Sequence, residues 1–126
     1  MLPLLLALLA LSAGPAHAEP ADNPAYLHFD APHLVHGRQV WLGTCEACHG
    51  YGIAGSPVPM HPEDWQARLE QPRETLYKHA IEGHFGPDYT MMPPRGGNEE
   101  LNDEQVRAAV DYMATLAEHY IRNKGQ

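Results

Sequence analysis

The chain has 126 residues, 8 Lys plus Arg against 16 Asp plus Glu, and a formal net charge of −8 at pH 7. That balance excludes a nucleic-acid binder, because phosphate recognition needs clustered Lys and Arg that this sequence lacks. An acidic surface of this kind either steers the protein toward partners with basic docking patches or simply keeps it in solution.

The first segment, Met1 to Ala18, reads as an export signal: an apolar run from Leu2 to Leu11, a break at Ser12, Gly14 and Pro15, and small residues at Ala16 and Ala18 before Glu19. A membrane anchor needs about 20 apolar residues, and Pro15 and His17 interrupt the run well before that. The reading is therefore a cleaved leader, a periplasmic product and no stable membrane insertion. Residues 19–31 form an extended arm with Pro20 and Pro24 and little periodicity, and no chemistry is assigned to it. Residues 32–126 form a single domain.

Asp30 is placed to cap a first helix over about 32–45, with Pro32 tolerated in its first turn. Leu34, Gly37, Trp41 and Cys45 would share one face of it. Gly37 costs a helix about 1 kcal/mol relative to Ala, which points to another backbone close by. After a Gly- and Pro-rich loop, a short helix starts at Pro62 with Trp65 and Leu69 facing in. A further helix over 72–82 carries Leu76, Tyr77, Ala80 and Ile81, with Gly83 placed to stop it. The stretch 83–100 reads as structureless, and a loop of that length in a small domain is usually functional or disordered. Asn102 and Gln105 form a capping box for a last helix, which keeps an apolar period from Val106 through Tyr120. No strand pattern appears, so the fold class is all-α.

Cys45 and Cys48 are the only cysteines, two residues apart and followed at once by His49. That five-residue run signals covalent attachment of a c-type haem: two thioethers along one edge of the porphyrin, with the adjacent imidazole beneath the iron. A thioredoxin-type dithiol belongs beside a strand-helix-strand unit that this chain does not show. A zinc site needs two further ligands, and the remaining alternative is a structural disulfide.

An iron held by His49 has one more axial position. The candidates are Met60, Met91, Met92 and Met113, with His61, His79, His84 and His119. Met113 falls on the inner stripe of the last helix, and Met60 sits soon after the attachment run. Met91 and Met92 occupy a loop long enough to reach the opposite face, stiffened by Pro93 and Pro94, so a ligand there loses little ordering entropy. Met92, directly before the prolines, is the expected ligand, Met91 the alternative, and an open or exchangeable sixth position the competing arrangement.

Taken together, Gly37-Arg38-Gln39-Val40-Trp41, Cys45 to Gly50, Gly52-Ile53-Ala54-Gly55-Ser56-Pro57, Met92-Pro93-Pro94-Arg95-Gly96-Gly97 and Ala108 to Met113 resemble the class I c-type cytochromes, and most of all the cytochrome c5 group. The resemblance implies roughly three to five helices around one covalently attached haem, with the first and last helices crossing near Gly37, Trp41, Ala109 and Tyr112. It implies that the Pro57 carbonyl accepts a hydrogen bond from His49, and that Trp65, Arg68 or Arg95 bonds a haem propionate. A monomeric one-electron carrier between redox proteins is the function it implies, rather than an enzyme. A haem enzyme or small-ligand sensor is the alternative. The extra cysteine pair of better-known c5 members is missing here, its place taken by Gly96, Gly97 and Asn98.

Overall fold

The computed structural model describes Asp22 to Gln126, and the expected export signal lies outside the described residues. Helix α1 spans Pro32–Val40, passes into one wide π turn over Trp41–Cys45, and resumes as α2, Glu46–His49. A 3-10 turn, Ile53–Gly55, precedes α3, Pro62–Leu69, and α4, Arg73–Glu82. Two-residue strands β1, His84–Phe85, and β2, Met91–Met92, pair antiparallel, with His84 opposite Met92 and Phe85 opposite Met91. A 3-10 turn, Pro94–Gly97, leads into α5, Asp103–Arg122.

The core is made where α1 crosses α5. A Cβ placed on Gly37 would lie 2.0 Å from the Ala108 carbonyl oxygen, so only glycine lets the two backbones approach this closely. Trp41, Tyr112, Leu116 and Ala117 are fully buried around that crossing, and Trp65 of α3 joins the same cluster. A second, smaller cluster of Ala80, Val106 and Val110 holds α4 on α5, with Met92 packed against it. Both halves of the Asn102 capping box form, each bond 2.9 Å long. These satisfy free N–H groups of the first turn, while Asp103 and Glu104 face the positive end of the helix dipole.

Three expectations are corrected. Asp30 does not cap α1; Ala31 holds the N-cap position without a side-chain bond, because Pro32 at the first helical position moves the boundary one residue on and has no N–H to satisfy. The stretch 83–100 is not structureless, since it contains the β1–β2 ladder and the 3-10 turn. The segment before Pro32 is no loose arm where it is described. Tyr26 is 2% exposed, its ring edge-on to Trp41 at 5.4 Å. The Tyr112 hydroxyl donates to the Leu27 carbonyl at 3.0 Å, and that of Tyr120 to the Ala25 carbonyl at 2.9 Å. The segment is a strap sewn to α5 by the buried Tyr112 and the partly buried Tyr120, whose rings pack on the core while their hydroxyls take backbone partners.

Candidate functional site

Cys45, Cys48 and His49 sit on the last turns of the helix that the π turn redirects. In that turn the Glu46 N–H bonds the Trp41 carbonyl, five residues back, which inserts one residue just before the cysteine run. Both thiols are unpaired, Cys45 half-buried against the core and Cys48 exposed. Burial pushes the Cys45 thiol up to about 11, with Cys48 adding to it. That is the wrong direction for a nucleophilic dithiol, which works through a thiol held below its ordinary value.

His49 Nδ1 lies 2.9 Å from the Pro57 carbonyl oxygen. A carbonyl can only accept, so Nδ1 carries the proton and Nε2 presents its lone pair. Burial lowers the His49 pKa more than the Pro57 bond raises it, and the nearby Arg68 charge lowers it further. The ring is thus a neutral, oriented imidazole, the form that binds a metal. The Pro57 carbonyl is held in turn by Asp64, which accepts from the Val58 N–H at 2.9 Å.

The loop bearing the two methionines returns to this helix. Gly83, at φ +86°, ends α4 where a Cβ would stand 3.0 Å from the Met92 carbonyl oxygen and 3.1 Å from the Pro94 ring. Met92 is half-buried on the second cluster, whereas Met91 is 56% exposed. Asn98 Nδ2 donates to Thr44 Oγ1 at 3.0 Å, tying the end of the loop to the residue before Cys45. The Pro57 loop also comes close to the same segment: a Cβ on Gly55 would be 3.1 Å from the Thr90 methyl.

Of the three residues considered for a propionate, Trp65 is the one with a buried polar atom lacking a partner, its indole Nε1; the Trp41 Nε1 in the core is the other such indole. Arg68 donates to the Asp64 carbonyl. Arg95 donates to the Leu101 carbonyl at 3.0 Å and to Asp103 at 2.6 Å, which turns it toward the start of α5. Met113 is 6% exposed and part of the core, and Met60 packs against the same cluster. No three His, Cys, Asp or Glu side chains among the described residues converge to hold a metal ion by themselves. Asp64, Thr44 and Asn98 were missed by sequence reasoning, since short polar residues in loops and helix turns carry no periodic signal.

A family model described as cytochrome c oxidase, cbb3-type, subunit III matches residues 33–113. Cytochrome c-555 of Prosthecochloris aestuarii is 37% identical over 83 residues, which is 64% of this chain and 84% of that protein. The chain belongs to the class I c-type cytochromes. Cytochrome c5 of Ectopseudomonas mendocina is 30% identical over 74 residues, 57% of this chain and 79% of that protein. A chain in the crystal structure of an electron transfer complex of nitrite reductase with cytochrome c superimposes with a TM-score of 0.57 at 32% identity, covering 65% of this chain and 94% of the other.

Cytochromes of this family carry covalently attached haem c with its iron and serve as electron carriers. The residues of this cytochrome fit that group. Two unpaired thiols stand at the required spacing, an imidazole has its proton on the side away from the free nitrogen, and a buried indole N–H lacks an acceptor. A structural disulfide accounts for neither of the last two features, and a zinc site would need further ligands that do not converge among the described residues.

Proposed function

We propose that this cytochrome is a periplasmic monohaem carrier with His/Met-ligated iron. It would be exported by cleavage after Ala18 and would shuttle single electrons between protein partners as a monomer. Cys45 and Cys48 would hold the haem through thioethers, His49 Nε2 and Met92 would fill the two axial positions, and Trp65 Nε1 would bond a propionate. The observation that carries this reading is the His49–Pro57 bond, which presents Nε2 as a lone pair directly beside two free thiols.

When bound, the iron supplies a one-electron ferric/ferrous couple. The chain's own residues do the rest. Pro57, kept in place by Asp64, stops the imidazole from rotating as the charge changes. Gly83 lets the Met92 carbonyl pass close to the end of α4, and Pro93 restricts the backbone beyond it. A thioether ligand raises the potential and closes the sixth position. Met92 is chosen over Met91 because it directly precedes the prolines.

Partners are proposed to be redox proteins with basic patches. Arg38, Arg73, Lys78, Arg95, Arg107 and Arg122 all lie within ion-pair distance of a carboxylate, so the charge offered to a partner is dominated by acidic groups. The cytochrome c solved with nitrite reductase supports transfer by transient docking between proteins.

The test is spectroscopic. A pyridine haemochrome spectrum should be that of haem c, and the oxidised protein should carry the weak sulfur-to-iron band. Met92→Ala should abolish that band and move the potential by a sizeable part of the about 0.8 V that axial ligands span. Persistence of the band would transfer the role to Met91. Rapid carbon monoxide binding to the reduced wild type at neutral pH would defeat the carrier reading in favour of an enzyme or sensor. Comigration with a large complex in native extract would rule out a free shuttle, and a periplasmic product starting at Glu19 would support export.

A further inference from the structure

The Thr44–Asn98 contact joins two parts of the molecule that the proposed ligands come from. Thr44 lies inside the π turn, one residue before Cys45; Asn98 closes the turn that follows Met92-Pro93-Pro94. The bond spans 54 residues of sequence, is partly buried, and measures 3.0 Å. The Asn98 carboxamide has a fixed orientation, because its Oδ1 accepts from the Glu100 N–H at 3.2 Å and a backbone N–H can only donate. Its Nδ2 must therefore be the atom that faces Thr44. A second touch lies beside it: a Cβ on Gly96 would come within 3.2 Å of the Thr44 methyl, so the turn is seated on this side chain by shape as well as by hydrogen bonding.

We propose that Thr44 and Asn98 are positioning residues that clamp the methionine loop to the haem-attachment helix and so hold the Met92 sulfur at the iron. The inference rests on Met92 being the axial ligand. Neither residue touches the iron. They act by restricting the one loop that has to stay closed, a loop whose Phe85 and Tyr89 side chains make little contact with the rest of the chain. The ladder at β1–β2 is only two residues long on each side, and a two-strand ladder of that length does not stand alone in water. Arg95 pins the same turn to the start of α5, so cutting the Thr44 link frees the loop from the attachment helix without detaching it from the fold.

The experiment uses the intact holoprotein and follows displacement of the sulfur ligand by added imidazole in the oxidised state, read from loss of the sulfur-to-iron band. Thr44→Val keeps the shape and removes the acceptor; Asn98→Ala removes the donor. Each should raise the displacement rate about fivefold, the size expected of one net hydrogen bond. The double variant should be no faster than either single one, because both break the same link. Thr44→Ser, which keeps the hydroxyl, should stay close to the wild-type rate. Thermal midpoints measured in parallel separate a general loss of stability, which would scale with the rate across unrelated core variants, from a local release, which would not. Wild-type rates in both single variants, or additive effects in the double, would overturn the clamp. Retention of the band in Met92→Ala would instead remove the ligand assignment on which it rests.

Discussion

The α1–α5 crossing and the methionine loop are built on opposite terms. At the crossing Trp41, Tyr112 and Leu116 are fully buried, Gly37 brings the backbones into contact, and two tyrosine hydroxyls of α5 bond the strap from Asp22 to Phe29 across the outside. The loop from Gly83 to Asn98 has a minimal ladder, exposed apolar side chains and a few polar links to its neighbours. One region carries the stability of the fold and is finished by the chain itself; the other presents a ligand and is held at a few points. Changes in the first should therefore move stability and leave the spectrum alone, and changes in the second should do the reverse.

Gly37→Ala is the strongest way to break that separation. A methyl cannot fit 2.0 Å from the Ala108 carbonyl oxygen, so the helices must part. The expected loss is about 3 kcal/mol, the upper part of the range for overpacking, read from the shift of a denaturant midpoint. If the folded fraction of that variant also lost its sulfur-to-iron band, the two regions would be coupled and the division drawn above would fail.

Tyr112→Phe sharpens the same point more gently. It removes the hydroxyl bond to Leu27 and leaves a strap carbonyl without its donor, at a cost of about 1.5 kcal/mol. Easier proteolysis of the strap, with the redox potential unchanged, would be the signature. Asn102→Ala should cost about 1 kcal/mol through loss of the capping bond to the Gln105 N–H, measurable in the same denaturation series.

The smallest effect is a pH dependence. Burial raises both Tyr77 and Tyr112 from the ordinary value of 10.0 to about 12, and for Tyr77 the Asp111 carboxylate adds to it. Between these limits the unfolded chain has already released protons that the folded one retains, so stability falls as pH rises. Stability from these groups is complete below pH 10 and is lost as pH climbs toward 12. Tyr77→Phe should flatten that decline, and an unchanged slope would show that the Tyr77–Asp111 bond contributes nothing on the α4–α5 side.

How much of this was legible in the sequence follows the same division. The capping box at Asn102, the close approach at Gly37 and the stop at Gly83 are local signals with one physical cause each, and each is present in the fold. The Cys45–His49 run is a local signal of the same kind, and the haem c that it points to is the cofactor of the family. The strap was not, because Tyr26 lacks a periodic neighbour and its segment is held by tyrosines 85 and 95 residues further along. The π turn escaped because a single inserted residue leaves the composition of a helix unchanged. Arg95 shows the limit for long side chains: from sequence its guanidinium reaches a propionate as readily as the start of α5, and only the backbone around Gly96 and Gly97 turns it to Asp103.

The strap also orders events in time. Its partners, Tyr112 and Tyr120, belong to the last helix, so the first described segment cannot dock until nearly the whole chain has been delivered. Contacts of such long sequence separation form late, after the loop between them has been closed. The strap is thus closed by the last helix and not by its neighbours in sequence.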